Sequence, residues 1–296
     1  MIAFWLRIGA LALIAVALLA GYRAADPAVA VLGVIFVALA VHAAFVAASF
    51  VLSRRHAWKP QELPGLLATV PMFWREWLAH LVLFCAIQPF DKAWMGRYAS
   101  VPGKTPVLLV HGYMCNRGIW WWIARKLRAA GIAIATINLE PPRGDIESFA
   151  EQLHARIEAL CTDTQAQKVA LVAHSLGGLV ARAYLRRHGS ARVAQLVTLG
   201  SPHHGTWIAY FGVGENARQM RPDSAWIRDL GQCDPGVPVL SVWSAADNFI
   251  APQDSSRLAG AREKIMPALG HLAMLFSPVV LEILLNELSH PGDPQR

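Results

Sequence analysis

Charge is what this sequence has least of. Asp, Glu, Lys and Arg together make up 16% of its 296 residues, against 55% hydrophobic residues. That is too little polar material for a soluble domain throughout, so part of the apolar surface is expected to face lipid. Acidic residues are scarcer than basic ones, which leaves a formal net charge of +7. The basic residues are scattered: Arg54, Arg55 and Lys59 follow an apolar run, and Arg186, Arg187 and His188 close a predicted helix. Such a distribution suits an anionic membrane surface better than a nucleic-acid groove. With no nucleic-acid motif and no interleaving of aromatic and basic residues, no nucleic-acid partner is expected. Cysteine is also sparse. Cys85, Cys115, Cys161 and Cys233 form no C-x-x-C pair and no zinc spacing, so they are expected as free thiols. A Cys161–Cys233 disulfide is the alternative in an oxidising compartment. Internal repeats and low-complexity linkers are absent.

What is present, first of all, is lipid-compatible sequence at the amino terminus. Residues 4–21 are apolar apart from Arg7, and residues 28–52 contain His42 as their one titratable group. A helix needs about 20 apolar residues to cross a bilayer. Residues 21–27 supply a tight turn between the two runs, so a transmembrane helical hairpin is expected over residues 1–55. A cleaved signal peptide is the alternative for the first run. Leu18 occupies the small-residue position before a cut at Ala20, and a second span follows at once, which both argue against cleavage. Arg7 and the Arg54–Arg55–Lys59 cluster fall on one side of the hairpin and Arg23 on the other. The positive-inside rule therefore places both ends, and the rest of the chain, in the cytoplasm of a bacterial-type inner membrane. Residues 77–90 (WLAHLVLFCAIQPF) are apolar too, but short for a span, preceded by Trp74, Arg75 and Glu76 and interrupted by His80. They are expected as an interfacial or core helix within a linking segment, residues 56–103. If they span instead, the domain beyond them moves to the other side.

From residue 106 short apolar runs alternate with amphipathic stretches. Residues 106–110, 132–138, 168–173, 193–199 and 237–243 read as buried strands, and 119–130, 146–160, 176–187 and 278–288 as helices. This alternation predicts an α/β domain over residues 104–296, with a mostly parallel sheet covered by helices on both faces.

Four motifs in that domain carry chemistry. Ala173-His174-Ser175-Leu176-Gly177-Gly178 follows a predicted strand and opens a predicted helix, as a nucleophile elbow requires. The turn is so sharp that small residues must stand two positions either side of the serine, and Ala173 and Gly177 do. Such an elbow presents the Ser175 hydroxyl at the carboxyl edge of the sheet and the Leu176 N–H at a helix N-terminus, where it can stabilise an oxyanion. Val110-His111-Gly112-Tyr113 ends the first strand, and the Tyr113 N–H is the candidate second oxyanion donor, with His111 structural. Asp247 lies just past the fifth strand, where a carboxylate can face the serine. Asp254 is its main rival, and Asp223, Asp229 and Asp234 are outsiders. Gly270-His271-Leu272 supplies the candidate base. His203 and His204 precede Asp247 and break the order Ser, Asp, His of this arrangement, and His290 lies in the polar tail.

Together, AHSLGG, SPHHGT (201–206), SAADNFIAP (244–252) and GHLAMLFS (270–277) resemble the bacterial lipase/esterase branch of the α/β-hydrolases over residues 106–288. The resemblance is greatest to the small Bacillus-type lipases, which also carry Ala at the first elbow position. It implies an α/β-hydrolase fold, Ser175 as nucleophile, His271 as general base and acid, and Asp247 as the residue that orients it. It implies no metal or organic cofactor, and a lipid-like ester as substrate. The Pro202-His203-His204-Gly205 turn is expected near the rim of the site. The added hydrophobic hairpin departs from the secreted members and points to a membrane partner. Three adjacent tryptophans, Trp120, Trp121 and Trp122, cannot share one helix face. Core packing accounts for one or two, which leaves the rest for an acyl site or lipid. Residues 207–236 are the one stretch suited to a lid, too short for a large cap. Thioester hydrolysis or acyl transfer on the same three residues, and a catalytically silent interaction protein, remain as alternatives. Two helices with one titratable residue make a poor transport path.

Overall fold

The computed structural model describes residues 1–23, 26–59, 61, 63–96, 105–266 and 268–289. The chain opens with two long helices, α1 (Ile2–Arg23) and α2 (Pro27–Arg55), packed together as a hairpin. Asp26 starts α2 by accepting from the Ala28 and Val29 N–H groups, with Pro27 at the first helical position. Apolar side chains surround both helices and stay exposed: Phe4, Leu11, Ile14 and Leu18 on α1, and Leu32, Phe36 and Val41 on α2. A helix apolar on every side and unburied by protein has lipid as its natural solvent. At about 1.5 Å per residue, the 29 residues of α2 reach about 43 Å, beyond the roughly 30 Å of a hydrocarbon core. The surplus lies at the carboxyl end, where Val46, Ser49, Phe50 and Ser53 are buried. The amino terminus pairs with Glu140 of the α/β domain at 2.6 Å, so both ends of the hairpin meet that domain.

A third helix, α3 (Leu66–Leu81), runs on through a π-helical segment (Val82–Ile87) and a 3-10 turn (Gln88–Phe90) into α4 (Asp91–Met95). It therefore begins eleven residues before the expected boundary at 77, because Leu66–Arg75 is helical as well. Residues 67–95 are long and apolar enough to cross a membrane by length and composition. Met72, Glu76, Ala79 and His80 are nevertheless buried along one face, and Met72 joins Val46 and Phe50 of α2 and Ala246 in a small core.

The α/β domain is built on six parallel strands: β1 (Val107–Val110), β2 (Ile134–Thr136), β3 (Val169–His174), β4 (Val193–Leu199), β5 (Val239–Ser244) and β6 (Arg262–Met266). Their order across the sheet is β2-β1-β3-β4-β5-β6. Five coincide with the expected strands. The sixth, REKIM, is an edge strand paired, among the described residues, only with β5 and largely exposed, so it lacks the apolar run that marks its neighbours. Side chains alternate between the two faces. Leu108 and Val110 enter one core with α6 (Ile146–Thr164) and α7 (Leu176–His188). Val107 and Leu109 enter the other with α5 (Trp121–Ala129), α10 (Pro278–Leu288) and the Ala79–Ile87 stretch. Two short helices, α8 (Glu215–Gln219) and α9 (Ala225–Gly231), follow β4. The chain leaves β1 towards β2 and returns to β3 on the opposite side. The crevice at the carboxyl ends of β1 and β3 is thus the switch point where open α/β sheets bind ligands.

Candidate active site

Both strands at that switch point end in the residues singled out from sequence. Ser175 sits between β3 and α7 with φ 56° and ψ −125°, a left-handed conformation costly for a residue with a side chain. Small neighbours make it sterically possible. A Cβ at Gly177 would stand 2.6 Å from the Val110 carbonyl oxygen, and one at Gly112 would stand 2.9 Å from the Ser175 Cβ. The elbow therefore presses directly on the end of β1. The Ser175 N–H is tied to the Leu199 carbonyl at 2.9 Å, and Leu176 begins α7, where N–H groups have no intrahelical acceptor. Tyr113 follows Gly112 on the rim, and its hydroxyl donates to the Val213 carbonyl at 2.7 Å and accepts from the Val213 N–H at 2.8 Å.

His271 and Asp247 meet next to this elbow. The imidazole Nδ1 donates to Asp247 Oδ2 at 2.9 Å, with both side chains buried. Asp247 Oδ1 accepts from the Phe249 and Ile250 N–H groups at 2.7 and 2.9 Å, which fixes the carboxylate and leaves it no freedom to turn away. Because Nδ1 is the donor, Nε2 is left as the basic nitrogen. Burial by itself lowers the His271 pKa, but the Asp247 charge and hydrogen bond, with a further contribution from Glu76, hold it above the ordinary histidine value. The rival Asp254 belongs elsewhere, beside Arg257 and His204.

The remaining histidines have other tasks. His111 donates from Nδ1 to the Gly112 carbonyl and accepts the Leu139 N–H at Nε2. Burial pushes its pKa down to about 4, so it is a neutral strut, as expected. His203 is buried against Thr198, and the His204 N–H is held by Ser255, so these two histidines are structural, while Pro202 of the same turn stands beside Ser175 in the pocket lining. His290 lies outside the described residues. His174, unmarked from sequence as a separate feature, donates from Nε2 to the His271 carbonyl at 3.2 Å. Burial, the nearby His271 and His111 keep it uncharged.

Ser175 and His271 face a cavity of about 460 Å³, within the usual range of about 300–1,000 Å³ for small-molecule sites. Its lining is almost wholly apolar. One wall is the stretch after β4, through Ile208, Phe211 and Val213, which includes the 3-10 turn Trp207–Phe211. This is the lid candidate. α2 adds to the lining through Phe45, Ala48, Ser49 and Leu52, a stripe at helical spacing towards its carboxyl end. None of Trp120, Trp121 and Trp122 lines the cavity, which corrects the acyl-site alternative. Trp120 is fully buried, Trp121 packs on Trp94, and Trp122 meets Phe276. All four cysteines are free thiols, so the Cys161–Cys233 alternative is not formed.

Residues far upstream hold His271 in place. Asn248 Oδ1 accepts the His271 N–H at 3.0 Å, while its amide donates to Ser49 Oγ of α2 at 2.7 Å. Glu76 of α3, with no solvent exposure, accepts from the Leu272 N–H at 2.9 Å and the Ala273 N–H at 2.8 Å. Sequence reading missed these residues. A glutamate just before an apolar run carries no mark of a partner 196 residues away.

A parallel sheet with a serine elbow at its switch point and a buried histidine–aspartate pair at the same edge is the α/β-hydrolase fold. Comparison with known proteins agrees. The palmitoyl protein thioesterase family profile matches residues 106–228. A triacylglycerol lipase of Pseudarthrobacter phenanthrenivorans is 33% identical over 116 residues, covering 36% of each chain. A second, from Burkholderia plantarii, is 33% identical over 116 residues, 36% of this chain and 32% of that one. The aligned region thus spans about a third of the length of these relatives. Among solved structures, Bacillus licheniformis lipase BlEst2 in its mature form aligns at TM-score 0.57 with 17% identity, covering 64% of this chain and 94% of its own.

Proposed function

We propose that this chain is a membrane-anchored serine hydrolase that cleaves carboxylic esters of lipids. The observation that carries the proposal is the apolar cavity, which Ser175 and His271 share and which the carboxyl end of α2 helps to line. In this reading residues 1–55 anchor the chain, 56–103 form the interfacial and linking segment, and 104–296 form the catalytic domain. Arg54, Arg55 and Lys59 put that domain on the cytoplasmic face. An ester lipid enters from the leaflet with its acyl chain along α2. His271 Nε2 takes the Ser175 proton as Oγ attacks the carbonyl carbon. The Tyr113 and Leu176 N–H groups hold the oxyanion, each worth about 3 kcal/mol at the transition state. His271 then protonates the departing alcohol, and water hydrolyses the acyl-enzyme by the reverse proton path.

The test is a fluorophosphonate probe together with p-nitrophenyl esters of graded chain length, applied to the full chain in detergent. Labelling and turnover of wild type, both lost in Ser175→Ala, are expected; equal labelling of the two proteins refutes the proposal. The match to the palmitoyl protein thioesterase profile favours a second reading, an acyl thioester substrate for the same residues. Paired oxygen and sulfur esters of one acyl chain separate the two by their kcat/KM.

A further inference from the structure

We propose that Glu76, from the helix that docks the anchor, is a positioning residue for the general base His271, so that the reactive centre is complete only when α3 is seated on the α/β domain. This rests on the hydrolase reading above. Glu76 is unusually buried for a carboxylate, with no exposed surface. A carboxylate with no exposure to water costs several kcal/mol unless donors replace its hydration. Glu76 finds those donors in one place, the turn that carries His271. Leu272 N–H lies 2.9 and 3.0 Å from its two oxygens, and Ala273 N–H lies 2.8 Å from one. The turn has been shaped around the carboxylate in return. A Cβ at Gly270 would overlap the Glu76 side chain, so the residue before His271 must be glycine for the two to meet.

This grip fixes the base from its carboxyl-terminal side. On the amino-terminal side the His271 N–H is held by Asn248, which is held by Ser49 of α2. Asp247 holds the ring itself. The backbone of a residue that must deliver a proton is thereby clamped by two helices outside the α/β sheet. A base displaced by about 1 Å costs on the order of 10²-fold in rate, so the clamp bears on catalysis as well as on folding.

Glu76 also brings a negative charge to the neighbourhood of the imidazole. The groups that face it across the interface are His271 and Asp247. His80, one turn further along α3, is kept neutral by burial and by His42, which push its pKa down to about 4. Burial drives the Glu76 pKa up to about 7, against the lowering by the Leu272 and Ala273 donors and by His271. The ionised carboxylate favours the protonated imidazole and so raises the His271 pKa.

The two effects predict distinct readouts in Glu76→Gln, measured on the full chain in detergent with a p-nitrophenyl ester. The amide oxygen still accepts from Leu272 and Ala273, but the charge is gone and the amide N–H groups face no acceptor. The acidic limb of kcat/KM is expected to move to lower pH, while kcat on the plateau falls about 10- to 100-fold with KM little changed. Glu76→Ala, which leaves both turn donors unpaired, is expected to lose more. Should it fail to fold, Glu76→Gln, checked by an unchanged thermal transition, carries the test. A plateau kcat within twofold of wild type with an unmoved limb overturns the proposal. So does a fall in kcat with no movement of the limb, since that marks a structural role alone. An inactive wild type with an unlabelled Ser175 refutes the hydrolase reading instead, so the two failures are distinguishable.

Discussion

Ala48 offers a direct measurement of where the acyl chain lies. It is the smallest side chain in the α2 stripe of Phe45, Ala48, Ser49 and Leu52 that walls the cavity. Replacing it with phenylalanine projects a six-carbon ring into a space of about 460 Å³. If the ring excludes about four methylenes of a bound chain, and each buried methylene contributes about 0.8 kcal/mol, the loss is about 3 kcal/mol. That corresponds to about 200-fold in kcat/KM. The loss applies only to chains long enough to reach the ring. Ala48→Phe is therefore expected to hydrolyse p-nitrophenyl acetate at the wild-type rate and the palmitoyl ester on the order of 10² more slowly, with a break at an intermediate length. The assay is a chain-length series on detergent-solubilised wild type and variant, with active sites counted by fluorophosphonate labelling. A uniform fall at every chain length, or no fall at any, would refute the placement of the acyl chain along α2.

Other outcomes follow from the site. Asp247→Asn presents a donor to the imidazole and favours the wrong tautomer, so kcat is expected to fall about 10⁴-fold, whereas Asp254→Asn should stay within about twofold; the reverse ranking would reassign the acid. Since His271 must be neutral to accept the Ser175 proton, and its pKa is held above the ordinary value of 6.5, kcat/KM is expected to be lost as pH falls, with a midpoint above 6.5; a midpoint well below it contradicts the Asp247–His271 coupling. Gly177→Ala drives a Cβ against the Val110 and His111 carbonyls, and an overpacking cost of about 1–3 kcal/mol should lower the thermal midpoint and, by shifting the elbow, labelling of Ser175.

How much of this could be read along the chain depended on how local each signal is. The elbow was legible because its requirements fall within five residues: Ala173 and Gly177 flank a serine whose backbone is forced to φ 56°. Strands β1 to β5 were legible because burial on both faces demands unbroken apolar runs. The edge strand β6 is buried on neither and showed no such run. Asp247 ranked above Asp254 from its place after β5, but only the tertiary structure brings one of them, Asp247, to 2.9 Å from His271.

The amino-terminal helices mark the boundary most clearly. Composition alone pointed to lipid-facing surface there, since a helix that is apolar all round must be covered by lipid or by protein. It could not tell that the last turns of α2 wall the cavity, that Ser49 supports Asn248, or that Glu76 meets the turn after His271. Those contacts join residues separated by 196 to 199 positions. No periodicity or spacing encodes them, because their free energy arises only when two separately formed surfaces close and exclude water. The sequence by itself therefore marked the candidate reactive groups and the two apolar helices, and the tertiary structure decided that Ser175, His271 and α2 line one cavity.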